Sequence, residues 1–372
     1  MIRVLVVTTV HTPLDARIHH RQIRALRDAD HVVTYAAPWR ATGTPMSACL
    51  DGVRPVDLPR SVGRRRWRAI RAARRLLRVA AGAHDLVLVH DPELLLALPP
   101  RRHRVPVVWD VHEDTPASLI DRPWVPRPVR PLATWFAARL EGWAEQRCHL
   151  TLAEESYVDR FSRPHPVVPN HPWLPDEEPP PPGSERVVYV GRIARSRGAL
   201  EVLELARRLR HDPLRVELIG EADRDVRQQV AAAHERGELH WHGFVPNERA
   251  LELIEGAAAG LSLIHPQPNH AGSLQTKVLE YLSRRVPVVT TDLPVTGLFV
   301  RRHAVGLVVP VGDDDAVEAA VRHLATAHDE RRAIAERGYA LVRDELNWNR
   351  SGARFVAYLE ELAGLVTPGE PR

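Results

Sequence analysis

The chain carries a single lysine, Lys277, among 51 basic side chains, and it lies in Gly272-Ser-Leu-Gln-Thr-Lys-Val-Leu-Glu280. Ser273 reads as a helix N-cap, apolar positions follow at helical spacing, and Pro287 opens a β-branched run that reads as a buried strand. In that register the amides of Leu274, Gln275 and Thr276 face out of a helix start, which is a ready anion site. Lys277 and Glu280, three apart on one face, add an ammonium and a carboxylate. A diphosphate with a sugar or ribose attached would use all of these groups. The plainer reading makes Lys277 a solvated cation in an arginine-biased chain.

Gly191-Arg192 follows a strand and Arg197-Gly198 precedes a helix. A loop folding over that strand end would aim both guanidiniums at phosphate oxygens, and a helix start plus cations can neutralise a leaving diphosphate without a metal. His112 stands in Val107-Val-Trp-Asp-Val-His-Glu-Asp114, beside Asp110, Glu113 and Asp114. It is placed to hydrogen-bond a hydroxyl or accept a proton, unless the segment is only a polar loop. Asp15 and Arg17, in the first strand-to-helix loop, either hold substrate or cap the helix. Asp313-Asp-Asp315 reads as a helix N-cap rather than a metal site.

Several chemistries fall away. No GxGxxG follows the first strand, and GxxxxGK[ST], GxSxG and HExxH are missing, which argues against dinucleotide dehydrogenases, P-loop enzymes, nucleophile-elbow hydrolases and zincins. Cys49 and Cys148 form no CxxC, so neither a disulfide framework nor a zinc site is expected.

The elements that must hold these groups read as α/β. Val4–Thr9, Ile18–Leu26 and Val32–Ala36 give strand, helix, strand, the start of a doubly wound domain. Asp85–Val89 and Val105–Val108 read as further strands, with Val167–Asn170 as the last. After the Pro-rich stretch 175–186 the pattern restarts at Val187–Val190. It runs on through a helix at Ala199–Leu209, a strand at Arg215–Ile219, a helix at Asp225–His234, a strand at Leu239–His242, a helix at Glu248–Ala258 and a strand at Gly260–Ile264. The expectation is two doubly wound Rossmann-like domains facing a cleft: residues 1–174, a linker at 175–186, residues 187–345, and a C-terminal helix within 346–372 that crosses back to the first.

Charge divides with the domains. Residues 1–175 hold 26 arginines against 17 acids, and residues 176–372 hold 25 basic side chains against 30 acids. Nine arginines and Trp67 fall in Arg60 to Arg78 with no acid among them. As a helix with Trp67, Ile70 and Leu77 on one face, this run suits an anionic membrane surface, a nucleic acid, or a solvated helix packed by its apolar stripe. No apolar run approaches the ~20 residues of a membrane span, and the N-terminus is too short and strand-like for a signal peptide. A cytoplasmic protein is expected, peripheral at the inner face of the cell membrane if that run docks there.

Taken in order, several segments resemble one family across nearly the whole chain. These are Asp15-Ala-Arg-Ile-His, Asp110-Val-His, Val167-Val-Pro-Asn, Val190-Gly-Arg with Arg197-Gly, His242-Gly-Phe-Val-Pro, Ser273 to Glu280 with Pro287-Val-Val, and Gly306-Leu-Val-Val-Pro. The sequence is similar to retaining glycosyltransferases of the GT-B fold, family 4 or group 1. The resemblance implies transfer of a sugar from a nucleotide-diphosphate donor on the C-terminal domain to an acceptor hydroxyl on the N-terminal one, without a bound metal or other cofactor. That acceptor would be a glycan, a lipid-linked or a small molecule, and nucleic acid would be no partner.

By the same resemblance Arg192 matches the diphosphate arginine and Arg197 stands where the family has a lysine. Glu280 matches the carboxylate on the donor ribose, and Leu274, Gln275 and Thr276 match the phosphate amides. Gly243, Phe244 and Val245 lie where the nucleobase is read, and His112 matches the histidine near the reacting sugar. Arg192, Lys277 and His112 are the catalytic candidates; Asp15, Arg17 and Glu113 are acceptor-side candidates. The sequence departs at Gly272, where the family has a second glutamate; Lys277 and the Asn269-His270 loop could supply other contacts. The first loop also lacks the family's paired glycines. A sugar-nucleotide 2-epimerase on the same fold and a silent binding or scaffold protein are the rival readings.

Overall fold

The computed structural model describes residues 1–80, 82–98, 105–116, 127–267 and 272–364. The chain divides into two units, one made of Met1–Asn170 with Asn349–Arg372, the other of His171–Trp348. Each contains one six-stranded sheet in which every neighbouring pair is parallel.

In the first unit the strands are β1 (Arg3–Val7), β2 (Val32–Ala37), β3 (Arg54–Asp57), β4 (Leu86–Val89), β5 (Val107–Val111) and β6 (His149–Leu152), ordered β3-β2-β1-β4-β5-β6. The central strands read as unbroken apolar runs, Leu-Val-Leu-Val in β4 and Val-Val-Trp-Asp-Val in β5, because a parallel sheet is buried on both faces. The Arg66–Ala80 helix lays Ile70, Ala73 and Leu77 on one face of this core, together with Ala144 of the Arg130–Glu145 helix. From Asn349 the last helix, Trp348–Leu362, belongs to this unit, where Glu360 lies 3.1 Å from the buried His31 imidazole of the loop before β2.

The second unit repeats the order. Its strands are β7 (Arg186–Val190), β8 (Arg215–Ile219), β9 (His240–Trp241), β10 (Ala259–Ser262), β11 (Val288–Thr291) and β12 (Gly306–Val309), arranged β12-β11-β10-β7-β8-β9. Helices Ala199–Leu209, Arg224–Glu235 and Asp314–Thr326 cover one face; Asn247–Ile254, Thr276–Leu282 and Thr296–His303 cover the other. In both units the strand order reverses beside the first strand, between β1 and β4 and between β7 and β10. Ligands of doubly wound sheets bind beyond the carboxyl ends at that reversal.

Three expectations change. Val167–Asn170 is not a strand: Val167 makes a single bridge to Leu152, and the last strand is β6, which lies earlier. The Pro-rich stretch lies within the second unit instead of linking two. Gly183 N–H donates to Gly256 O at 3.0 Å, Arg285 donates to Pro179 O at 2.8 Å and pairs with Glu178, and the division between units falls at Asn170/His171. Trp67 is not on the buried face of its helix; it is 67% exposed, near arginines 64, 65, 68 and 71 in the sequence.

Candidate functional site

Next to the reversal in the second unit, the loops after β7, β8 and β9 meet by close backbone approach. Gly191, with φ +107°, donates to Ile219 O, and Gly220, with φ +145°, donates to Gly243 O, both at 2.9 Å. A Cβ on Gly220 would sit 2.0 Å from Gly191 O, so only glycine allows this crossing.

The Thr276–Leu282 helix stands over the same strand ends. Tyr281 pins it, accepting from Val190 N–H at 2.9 Å and donating to Leu261 O at 3.0 Å, while its ring lies against the Cα of Gly260. One turn earlier Lys277 is carried into the same space. Its Nζ is 3.6 Å from the centre of the Tyr189 ring and 3.9 Å from where a Cβ on Gly191 would lie. The amino group is buried and has no hydrogen-bond partner among the described residues. Burial, then the nearby Arg197 charge, drives its pKa well below the usual lysine range, against an opposing pull from Glu280. Burial this deep favours the neutral amine, and an anion entering beside it would favour the charged form.

Around Lys277 the other expected donor residues are distributed unequally. Glu280 is buried three residues on, 3.5 Å from Asn247 Nδ2. Arg197 ends a short 3-10 turn and is half-buried. Arg192 does not stand free: its guanidinium is clamped on Asp223 at 2.6 and 2.9 Å and is 69% exposed. Gly243 takes φ +69°, Phe244 beside it is 76% exposed, and Val245 packs on the core.

Ser273 is not the cap that spacing suggests. The helix starts at Thr276 with Gln275 at its N-cap, so Leu274 and Gln275 precede it. Ser273 Oγ accepts from Gln275 Nε2 at 3.4 Å. The Gln275 amide is directed at Thr296 Oγ1, also at 3.4 Å, and that hydroxyl donates to Ser273 O at 3.3 Å. Thr296, from a helix that sequence reading did not connect to the motif, thus ties down the turn. The Asn269-His270 loop lies outside the described residues.

The first unit has its own cluster at the β1/β4 reversal. Asp91, just after β4, accepts from Thr8 Oγ1, Thr9 Oγ1 and Val10 N–H, each at 3.1 Å, and from Thr9 N–H. This fixes the loop after β1, which carries His11. After β5, His112 Nδ1 lies 3.0 Å from Asp110 O and 3.5 Å from Asp110 Oδ2, and its Nε2 meets His11 Nε2 at 2.9 Å. Since a carbonyl can only accept, Nδ1 carries hydrogen, and the second proton lies between the two Nε2 atoms when His112 is charged. Burial alone would lower the His112 pKa, but the bond to Asp110 and its charge raise it above the usual value. His90, from the end of β4, is 3.3 Å from Asp110 Oδ2; it is fully buried and burial keeps it neutral.

Arg17 is held inside the first unit. It is 5% exposed and pairs with both oxygens of Asp110 at 2.7 Å, while its Nη1 donates to Val168 O and Asn170 Oδ1 at 2.9 and 2.8 Å. Burial disfavours the Asp110 carboxylate, yet this guanidinium holds its pKa well below the ordinary range. Asp15 serves the helix start, accepting from Arg17 and Ile18 N–H at 2.9 and 3.0 Å. Glu113 is the acceptor-side candidate that remains exposed. Neither His11 nor His90 was legible among 20 histidines; the doubly wound order, with β1 and β4 side by side, was the available signal.

His90, Asp110 and His112 bring ligand atoms within 4.8 Å of one another, close enough for one cation. The Arg17 guanidinium on both Asp110 oxygens and the Thr151 hydroxyl on Oδ1, at 2.8 Å, already occupy that carboxylate and oppose a second positive charge. The three histidines form one end of a cavity of about 440 Å³.

Comparison with known proteins gives a consistent picture. Residues 16–173 match the family described as a glycosyl transferase 4-like domain, and residues 174–341 match the glycosyl transferases group 1. No curated sequence matches. Among solved structures, sucrose-phosphate synthase from Thermosynechococcus elongatus superposes with a TM-score of 0.72 at 14% identity, over 98% of this chain and 99% of that one. Anabaena HepE in complex with UDP-glucose gives 0.71 at 12% identity, over 97% and 100%. WaaG, a glycosyltransferase involved in lipopolysaccharide biosynthesis, gives 0.68 at 15% identity, over 99% and 100%. At these identities the likeness is one of fold.

Proposed function

We propose that this chain, which belongs to the group 1 glycosyltransferases of GT-B fold, moves a sugar with retention from a nucleoside-diphosphate donor held by the second unit to an acceptor hydroxyl held by the first. The observation that carries the reading is Lys277: a buried amine without a hydrogen-bond partner among the described residues, beside the glycine crossing next to the strand-order reversal. A diphosphate there would restore the charge balance that burial removes, and Arg197 would share the load. Glu280 would accept from the donor ribose, the Gly243–Val245 backbone would face the base, and the Leu274 and Thr276 amides would approach the phosphates, joined by that of Gln275 if it leaves Thr296 Oγ1. Arg192 would join by exchanging Asp223 for a phosphate oxygen, an inexpensive exchange because an exposed pair is worth only about 0–1 kcal/mol.

In the transfer, the acceptor oxygen bonds to the anomeric carbon and the bond from that carbon to the diphosphate oxygen breaks. The electron pair leaves with the nucleoside diphosphate, and the hydroxyl proton is released. Stabilising the departing charge with fixed cations is the electrostatic form of catalysis, and no metal is required for it. His112 would position the acceptor hydroxyl. The HepE structure with UDP-glucose supports a uridine donor as the first to try. The test is nucleoside-diphosphate release from UDP-, GDP- and dTDP-sugars: one donor class should turn over, and Lys277→Ala should abolish that turnover.

The outer face of the Arg66–Ala80 helix, with Trp67 and Val79 exposed among arginines, favours contact with an anionic membrane. Among the described residues no helix is long and apolar enough to cross a membrane. Co-sedimentation with phosphatidylglycerol vesicles at low salt, lost at high salt, would support such docking; no binding at low salt would exclude it.

A further inference from the structure

Resting on the transferase reading, we infer that the acceptor is a hydroxyl carried on an apolar body, either hydrocarbon or aromatic, rather than a saccharide. The cavity of about 440 Å³ lies wholly within the first unit and has two unlike parts. One end holds the imidazoles of His11, His90 and His112. Away from that end, one wall is a stripe of the Arg130–Glu145 helix, Ala133, Phe136, Ala137 and Leu140, and Leu96 and Val10 also line the cavity. The spacing of three, one and three puts those four helix residues on one face.

A saccharide brought into this space would bury hydroxyls against alkyl and aryl groups that offer no hydrogen bond, and unpaired burial of polar groups is costly. Ser61, Arg66, Glu93, Glu113 and Thr115 also line the cavity, but none belongs to the stripe of the Arg130–Glu145 helix, and the two carboxylates at the histidine end are already engaged. Asp91 is saturated by Thr8, Thr9 and Val10, and Asp110 by Arg17 and Thr151. That end leaves the imidazole pair whose Nε2 atoms share a proton, and His90 Nε2, which has no hydrogen-bond partner among the described residues. That suits one hydroxyl. The volume falls within the roughly 300–1,000 Å³ typical of small-molecule sites.

The apolar character also continues outward. Phe136 lines the cavity yet is 55% exposed, and Leu132 and Trp135, one turn and one residue before it, are more exposed still. An apolar body longer than the cavity could lie along this helix and keep its hydroxyl at His112.

The experiment is calorimetric titration of the full chain with geraniol, 2-(2-naphthyl)ethanol and lactose. At least one alcohol should bind one to one. Binding should weaken tenfold or more in Ala133→Trp, which fills the cavity, and severalfold in Phe136→Ala, a change at a half-exposed site that the fold tolerates. Geraniol alone would specify a prenyl-like chain, and the naphthyl compound alone an aromatic body. Saturable lactose binding that Ala133→Trp abolishes, or no alcohol binding by a chain with an unchanged melting curve, would overturn the inference. Nucleoside-diphosphate binding is measured on the same samples. Its loss with alcohol binding intact defeats the transferase reading alone, and the reverse result defeats only the acceptor class.

Discussion

His112 Nδ1 lies 3.0 Å from the Asp110 carbonyl while Asp110 Oδ2 is only 3.3 Å from His90 Nδ1, so one aspartate stands beside two histidines of opposite tendency. In both, burial opposes the charged form; at His112 the Asp110 bond and charge overcome it, and at His90 they do not. Site-resolved NMR titration should therefore show His112 protonating above pH 6.5 and His90 protonating below it. Identical midpoints would contradict the described geometry.

Arg17 holds β1's following helix to Asp110 and to the Val168 and Asn170 segment. Replacing it by leucine strands a buried carboxylate, and breaking such a pair from one side costs about 3–5 kcal/mol. Urea denaturation should show that loss for Arg17→Leu. A variant of unchanged stability with only a raised acceptor KM would return Arg17 to a substrate-binding role.

Acid should destabilise the protein through its histidines. Burial lowers His19 to about 4 and also depresses His31, His90, His149 and His240. Between these folded values and the ordinary 6.5 the unfolded chain binds more protons, so stability rises with pH across that window. His112 contributes with the opposite sign, its share being full below 6.5 and lost as pH rises through its raised folded value. The melting temperature should climb from pH 4.5 to 7, and His19→Gln should flatten the climb.

Asp223 competes with any phosphate for Arg192. Asp223→Ala should tighten nucleoside-diphosphate binding by up to about fivefold, the equivalent of an exposed pair. A tenfold loss would mean that Asp223 itself supports the bound nucleotide.

How far the sequence could be read follows from how local each signal was. The β-branched runs of β1, β7 and β11 declare themselves because both sheet faces are buried, and Lys277 with Glu280 share a face by helix geometry alone. The Arg17–Asp110 pair spans 93 residues and Thr296–Gln275 joins two helices, so neither can be inferred from spacing. The Arg130–Glu145 helix was missed because Leu132, Trp135 and Phe136 are exposed and blur its apolar periodicity. Ser273 misled for a related reason: a residue suited to capping satisfies its hydroxyl in the preceding turn when Thr296 fixes that turn.

The most direct test of the account is calorimetric titration of UDP, GDP and dTDP into the full chain and into Lys277→Met, a change that keeps the apolar stem over Tyr189 and removes the charge. One nucleotide should bind the parent chain, and the variant, stably folded, should bind it at least tenfold more weakly. Equal affinity in both would show that the buried ammonium is not the anchor of the diphosphate.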